Sequence, residues 1–282
     1  MRRGFAITLD ALHRFLEDDG WAIASYIALS TLMALFPFLI LVTALAAFLG
    51  STGLADKAAN LLLDTWPHEV AGPIANEVHR VLTTTRGDVL TASAVFSVYF
   101  ASSGVESLRI GLNRAYGEKE TRNWFLLRIE SILYVLVGAI TLLAFTLLIV
   151  LGPLLFATAL RNAPWLAPLE TTFTFVRLAL ATGLIAVALV VLHKWLPAGH
   201  RRFREIAIGI AATLVLWLIG GILFGRYLAE FASNYVTYYA GLASVVIALV
   251  FLYLMAAIFM FGGELNAAIC RRPEVDRAAG KS

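Results

Sequence analysis

The run that opens at Tyr239-Ala240-Gly241-Leu242-Ala243-Ser244, stays almost wholly apolar to Phe261 and closes on Gly262-Gly263-Glu264-Leu265-Asn266 constrains this chain more than any other feature. A helix crosses a bilayer with about 20 apolar residues. This run is long enough, and it carries a carboxylate and an amide just inside its far end. Upstream, the same format of apolar spans separated by charged loops repeats. With 60% hydrophobic and 15% charged residues among 282, the chain departs from soluble domains, which have about 45–50% apolar and about 25% charged residues. The fold class implied is all-α: a polytopic membrane bundle of six transmembrane helices, with short amphipathic helices outside the membrane.

The spans fall at about 24–50, 89–112, 131–157, 172–193, 205–228 and 241–269, in a single membrane domain of residues 1–272 followed by a polar tail, 273–282. Ahead of them, Phe5, Leu9, Leu12 and Leu16 recur on one helical face beside Arg2, Arg3 and Arg14, the pattern of a helix lying on the membrane surface. The apolar run from Ala22 to Gly50 is longer than the core of a secretory signal, about 7 to 15 residues, so the first span is expected to be retained. Pro37 within it lacks a backbone donor and is expected to kink the helix. Residues 51–88 alternate polar and apolar stripes on either side of Pro67, which predicts two amphipathic helices outside the membrane.

Of the 22 lysines and arginines, all but Lys57, Arg80, Arg86, Arg161, Arg177 and Arg226 fall in the N-terminal segment, the stretch from Arg109 at the inner end of the second span to Arg128, the connection after the fourth span, and the tail. The positive-inside rule then puts both termini in the cytoplasm of a multi-pass inner-membrane protein.

The polar residues inside the spans are the candidates for function. Ser102, Glu106, Arg109 and Asn113 recur at helical spacing on the second span, so they share one face, which must turn inward or toward water. Tyr26 and Ser30 on the first span and Glu264 and Asn266 on the sixth fall at the same inner depth. This predicts one convergent polar cluster, with Glu106 and Glu264 as its anions and Arg109 as gate or headgroup contact; ordinary interhelical hydrogen bonds are the plainer alternative. Arg109 and Arg177 also sit near enough to span ends to snorkel. With Arg226, Arg177 is an outer candidate for anionic headgroups. Gly221 and Gly225 have the spacing of a close helix crossing.

No phosphate-binding glycine loop, zinc motif or nucleophile elbow is present. The histidines, His13, His68, His79, His193 and His200, are scattered. Cys270 is the single cysteine, which excludes an intrachain disulfide and a cysteine metal cluster. No cofactor, metal or nucleic-acid partner is expected, and no enzymatic activity.

Tyr26-x-x-x-Ser30 with Phe36-Pro37, Asn113-x-x-Tyr116, Leu196-Pro197 with Gly209 and Trp217, the Tyr239–Ser244 segment and Gly262-Gly263-Glu264-Leu265-Asn266 together resemble the YihY/virulence-factor BrkB family of bacterial inner-membrane proteins. The resemblance runs in order along nearly the whole chain. Phe100 and Phe251 stand where that family often has tryptophan. Members have carried a ribonuclease label, and some are associated with virulence or envelope lipid export. The resemblance and the intramembrane charges together suggest a transporter or flippase-like exporter of a lipid or other envelope amphiphile, in contact with membrane lipids. A non-transporting envelope scaffold is the alternative. An RNA-processing enzyme is a third reading, for which positioned acid, base or metal groups are lacking.

Overall fold

The computed structural model describes residues 2–48, 87–239 and 242–279, and every regular element among them is helical. In chain order these are α1 (Arg2–Glu17), α2 (Gly20–Phe48), α3 (Gly87–Tyr116), α4 (Trp124–Thr146), a π-helical turn (Leu147–Leu151), α5 (Gly152–Asn162), a 3-10 turn (Pro164–Leu169), α6 (Glu170–Trp195), α7 (Phe203–Tyr239) and α8 (Ala243–Ala279). Among the described residues four helical stretches are long and apolar enough to cross a membrane: Trp124–Asn162, Pro164–Trp195, Phe203–Glu230 and Val245–Arg271. Gly20–Leu35 adds a shorter apolar helix. The amphipathic helices expected in the 51–88 loop lie outside the described residues except for Gly87 and Asp88, which already belong to α3. The backbone of α2 is helical throughout, Pro37 included.

Two compact units are present. One comprises Met1–Ala34, Ser102–Ser131 and Leu189–Ser282; the other comprises Leu35–Ala101 and Ile132–Ala188.

In the first unit α1 uses two faces. Phe5, Leu9, Leu12 and Leu16 are all exposed, as a membrane-surface face requires, while Ala11 and Phe15 are buried. Ala11 forms a small core with Leu265 and Ala268 of α8, joined by Ile7, Ala212, Phe261 and Ile269. The Ile7-Ala11-Phe15 stripe, at i, i+4, i+8, runs down the other side of the helix from the exposed leucines. It docks α1 on the bundle, so the helix does more than lie on a membrane. Asp19 turns the chain into α2 with φ 54°, a left-handed conformation that Asp tolerates better than most residues. Its carboxylate accepts a 2.7 Å bond from Arg114 at the end of α3. A side chain at Gly20 would run into the Phe15 ring.

α7 and α8 cross at Gly209 and Gly262. A Cβ on Gly209 would collide with the Gly262 carbonyl and Asn266 Oδ1, and one on Gly262 would collide with Thr213 Oγ1. Trp217 Nε1 donates to Met255 O at 2.9 Å farther along. Glycine is required at this crossing, whereas a Cβ on Gly221 or Gly225 meets nothing within 4 Å. The close-crossing role expected for Gly221 and Gly225 therefore belongs to Gly209 and Gly262. Two glycines on two helices can form a contact that no spacing within one helix reveals. α3 reaches α8 as well, with Gly263 facing Leu112 and Ala115 and Gly111 facing Met260.

α4 begins at Trp124, seven residues ahead of the expected span. Asn123 Oδ1 accepts from the Phe125 N–H at 3.0 Å, the geometry of an N-cap. Arg128, which the sequence suggests lies in a basic loop, is therefore helical. In the second unit, exposed large residues such as Leu155 and Phe175 cover the helices. Such coverage is ordinary where the solvent is lipid.

Candidate functional site

The α3 stripe meets the start of α4. Arg109 is 3% exposed, and its guanidinium donates to Leu127 O at 3.0 Å and to Ser131 Oγ at 3.1 Å. It is held inside the bundle, contrary to the snorkelling expectation, because the first turns of α4 offer it a carbonyl and a hydroxyl. One turn earlier, Glu106 accepts from Arg128 Nη1 at 2.9 Å. Arg109 and Glu106 therefore both bind α3 to α4. Ser102, fully buried, continues the same stripe.

Asn113 ties two connections together. Its Nδ2 donates to Glu120 Oε2 at 3.1 Å, and its Oδ1 accepts from the Ala198 N–H at 2.6 Å. Arg122 clamps Glu120 with Nε and Nη2 at 2.9 and 2.8 Å, and also reaches Glu130 at 2.8 Å and Leu196 O at 3.0 Å. The Arg122 guanidinium holds the Glu120 carboxyl down at about 2, although partial burial acts the other way. Two arginine nitrogens on two carboxylate oxygens give the bidentate, charge-assisted geometry that is strongest for such a pair.

The Leu196–Arg202 connection, which joins α6 to α7, then links through Tyr116 to Asn266 of α8. Arg201 donates to Ala198 O at 2.9 Å and to Glu118 at 3.3 Å, and its guanidinium lies 3.8 Å from the centre of the Tyr116 ring. Burial lowers its affinity for the proton relative to a free arginine. Gly199, with φ +84° and Glu118 Oε1 2.5 Å from where a Cβ would stand, permits the turn. Tyr116 Oη accepts from Asn266 Nδ2 at 3.3 Å and lies 2.8 Å from His193 Nδ1. Among the described residues the other ring nitrogen of His193, Nε2, is buried without a hydrogen-bond partner. Asn266 Oδ1 takes the Gly209 N–H at 2.7 Å, at the α7–α8 crossing.

Asn113 and Asn266 thus share one chain of contacts through residues outside the expected set, Arg201 and Tyr116, with Glu118, Glu120, Arg122 and His193 beside it, while Arg109 and Glu106 bind α4 separately. The Asn113-x-x-Tyr116 spacing was the available signal for Tyr116. Nothing in the sequence marks His193, since only folding brings the end of α6 against α3 and α8. Glu264 is 1% exposed and faces Arg271 at 3.5 Å. Among the described residues Oε2 of Glu264 and Nε and Nη2 of Arg271 are buried without a hydrogen bond. Glu106 and Glu264 therefore have different arginine partners. Tyr26 is 49% exposed, Ser30 is partly buried, and neither takes part in this hydrogen-bond chain.

In the second unit Arg177 donates to Ile149 O at 3.4 Å, a carbonyl of the π-helical turn, where the ordinary helical partner is displaced. It lines a cavity of about 280 Å³ with Pro153, Phe156, Ala157, Leu160, Glu170, Phe173 and Thr174. Arg226 is exposed on α7. Among the described residues no group of three or more His, Cys, Asp or Glu could hold a metal ion.

Among known proteins, the chain is similar to the ribonuclease-like protein YfkH of Bacillus subtilis, 25% identical over 93% of this chain and 94% of that one. It is also similar to a UPF0761 membrane protein of Coxiella burnetii, 27% identical over 95% of both chains. A third relative, a UPF0761 membrane protein of Rhodospirillum centenum, is 26% identical over 92% of this chain and 56% of its own. No solved structure matches. The model of the family described as virulence factor BrkB matches residues 11–282, and with that match the chain is an integral membrane protein belonging to the virulence factor BrkB family.

Proposed function

We propose that this is a six-span inner-membrane protein with cytoplasmic termini, a single membrane domain over residues 1–272, that moves a lipid or other envelope amphiphile across or out of the membrane. The observation that carries this reading is Glu264. It is a nearly inaccessible carboxylate on an apolar helix, 3.5 Å from Arg271 and with one oxygen lacking a hydrogen bond. A charge at the centre of a membrane helix costs about 2.5–3.5 kcal/mol on insertion scales, and ionisable residues within spans usually line a substrate or ion path. Asn266, two residues on, joins the helix crossing to Tyr116 and His193, so movement at Glu264 would be felt along the whole hydrogen-bond chain.

Lipid scrambling in proteoliposomes tests it. The wild-type chain is expected to exceed empty liposomes, and Glu264→Gln to lose about tenfold in rate, equivalent to about 1.4 kcal/mol. Wild-type vesicles indistinguishable from empty ones would sink the transport reading.

A non-transporting scaffold is the second reading, favoured by how completely Asn113 and Asn266 are engaged and how tightly Gly209 meets Gly262. We read the chain as non-enzymatic and without a nucleic-acid partner. The ribonuclease-like name belongs to the Bacillus relative, and a cleavage assay on structured RNA with the purified chain decides whether the activity extends here.

A further inference from the structure

The cavity beside Arg177 is formed by two helix faces of matching period. Pro153, Phe156, Ala157 and Leu160 stand at i, i+3, i+4, i+7 on α5, and Glu170, Phe173, Thr174 and Arg177 stand at the same intervals on α6. Each set is a single stripe. Phe156 and Phe173 stack across the gap with centroids 4.4 Å apart. Glu170 opens α6 beside the connecting turn, and Arg177 lies two turns, about 10 Å, deeper. Gly152 leaves room for the arginine stem, since a Cβ there would sit 3.2 Å from Arg177 Cδ.

The charges at the two ends are not spent on each other. Arg177 makes one long bond to Ile149 O and has a buried Nε with no partner. Among the described residues Arg177 has no carboxylate within ion-pair reach, and the Glu170 carboxylate has no side-chain hydrogen bond or ion pair. A guanidinium with donors to spare suits a phosphate. A carboxylate nearer the water suits an ammonium group. Aromatic and aliphatic side chains line the space between. At about 280 Å³ the cavity falls below the range of pockets that enclose whole drug-sized ligands, about 300–1,000 Å³. It has room for a headgroup, with the acyl chains left in the bilayer.

We infer that the α5–α6 cavity is a binding site for the headgroup of an amine-bearing phospholipid, with the phosphate on Arg177 and the ammonium on Glu170. This deepens the transport reading by naming the class of amphiphile, but it concerns binding alone. A phosphatidylethanolamine-type headgroup meets both charges in order of depth. A purely anionic headgroup such as phosphatidylglycerol leaves Glu170 facing a ligand with no positive charge.

The test uses the purified full-length chain in detergent, incubated with equal amounts of phosphatidylethanolamine and phosphatidylglycerol and washed, with retained lipid measured by mass spectrometry. The wild type is expected to hold phosphatidylethanolamine in severalfold excess. Arg177→Gln is expected to lose about tenfold in retention of both lipids. Glu170→Gln should erase the preference while keeping phosphatidylglycerol. Ala157→Trp fills the cavity from the α5 side and should act like Arg177→Gln, while Arg161→Gln, exposed and outside the cavity, should match the wild type. Soluble glycerophosphoethanolamine at equal concentration should not displace the lipid. Equal retention of both lipids by the wild type, wild-type retention by both Arg177→Gln and Ala157→Trp, or full displacement by the soluble headgroup would overturn the site. A chain that retains the lipid in this pattern but scrambles nothing overturns only the transport reading. A chain that scrambles while both variants retain lipid normally overturns only this site.

Discussion

Asn266 shows what one buried amide does in this bundle. Its oxygen satisfies the Gly209 N–H and its nitrogen donates to Tyr116, so replacement by leucine leaves a phenol oxygen and a backbone donor without their partner. A buried donor or acceptor left unmatched costs about 1–3 kcal/mol. Asn266→Leu is expected to lower the melting temperature in detergent by several degrees, and an unchanged melting temperature would show that water or another group replaces the amide. Glu120 titrates in the opposite sense to a buried acid. Its folded value, about 2, lies below the ordinary carboxylate range, so its stabilisation is complete above the unfolded value, about 4.3. That contribution fades as pH falls from there toward about 2. Melting temperature followed from pH 6 to pH 3 should drop less steeply for Glu120→Gln than for the wild type; parallel curves would remove Arg122 as the cause.

At the scale of elements, the small residues at the α7–α8 crossing separate structural need from helical propensity. A methyl at Gly209 meets the Gly262 carbonyl and the Asn266 side chain, neither of which can move without opening the crossing. Overpacking of this kind costs about 1–3 kcal/mol. At Gly221 a methyl meets open space, and alanine is favoured over glycine inside a helix by about 0.8–1.0 kcal/mol. Gly209→Ala should therefore melt below the wild type and Gly221→Ala at or above it. The reverse order would restore Gly221 as the packing residue. The same contrast explains what was legible beforehand. The amphipathic face of α1 and the α3 stripe follow from spacing within one helix, so they could be read directly. The docking of Ile7, Ala11 and Phe15 on α8 and the placement of Arg128 on α4 depend on which helix lies alongside, and spacing carries no such information.

For the whole molecule, the proposed topology places the Leu196–Arg202 connection and the Ala163–Leu169 connection on opposite sides of the membrane. With Cys270 replaced by alanine, single cysteines introduced by Ala198→Cys and Ala163→Cys should differ in labelling by a membrane-impermeant maleimide added to intact spheroplasts. Ala163→Cys should react, and Ala198→Cys only after lysis. Labelling of both from one side would defeat the six-span arrangement.

The apolar runs, their lengths and the loop charges determine that this chain is helical and embedded in a membrane. Hydrocarbon admits almost no other backbone that satisfies its own hydrogen bonds, so those features could be read without a structure. The polar stripe on α3 and the carboxylate on α8 were equally visible, because a charge in an apolar helix stands out in any reading. Their partners were not. Arg109 pairs with a carbonyl and a hydroxyl 18 and 22 residues away, Tyr116 with His193 after 77 residues and with Asn266 after 150. Hydrogen bonds and ion pairs act over about 3–4 Å, so the assignment of donor to acceptor is decided only when tertiary packing brings separate helices within that distance.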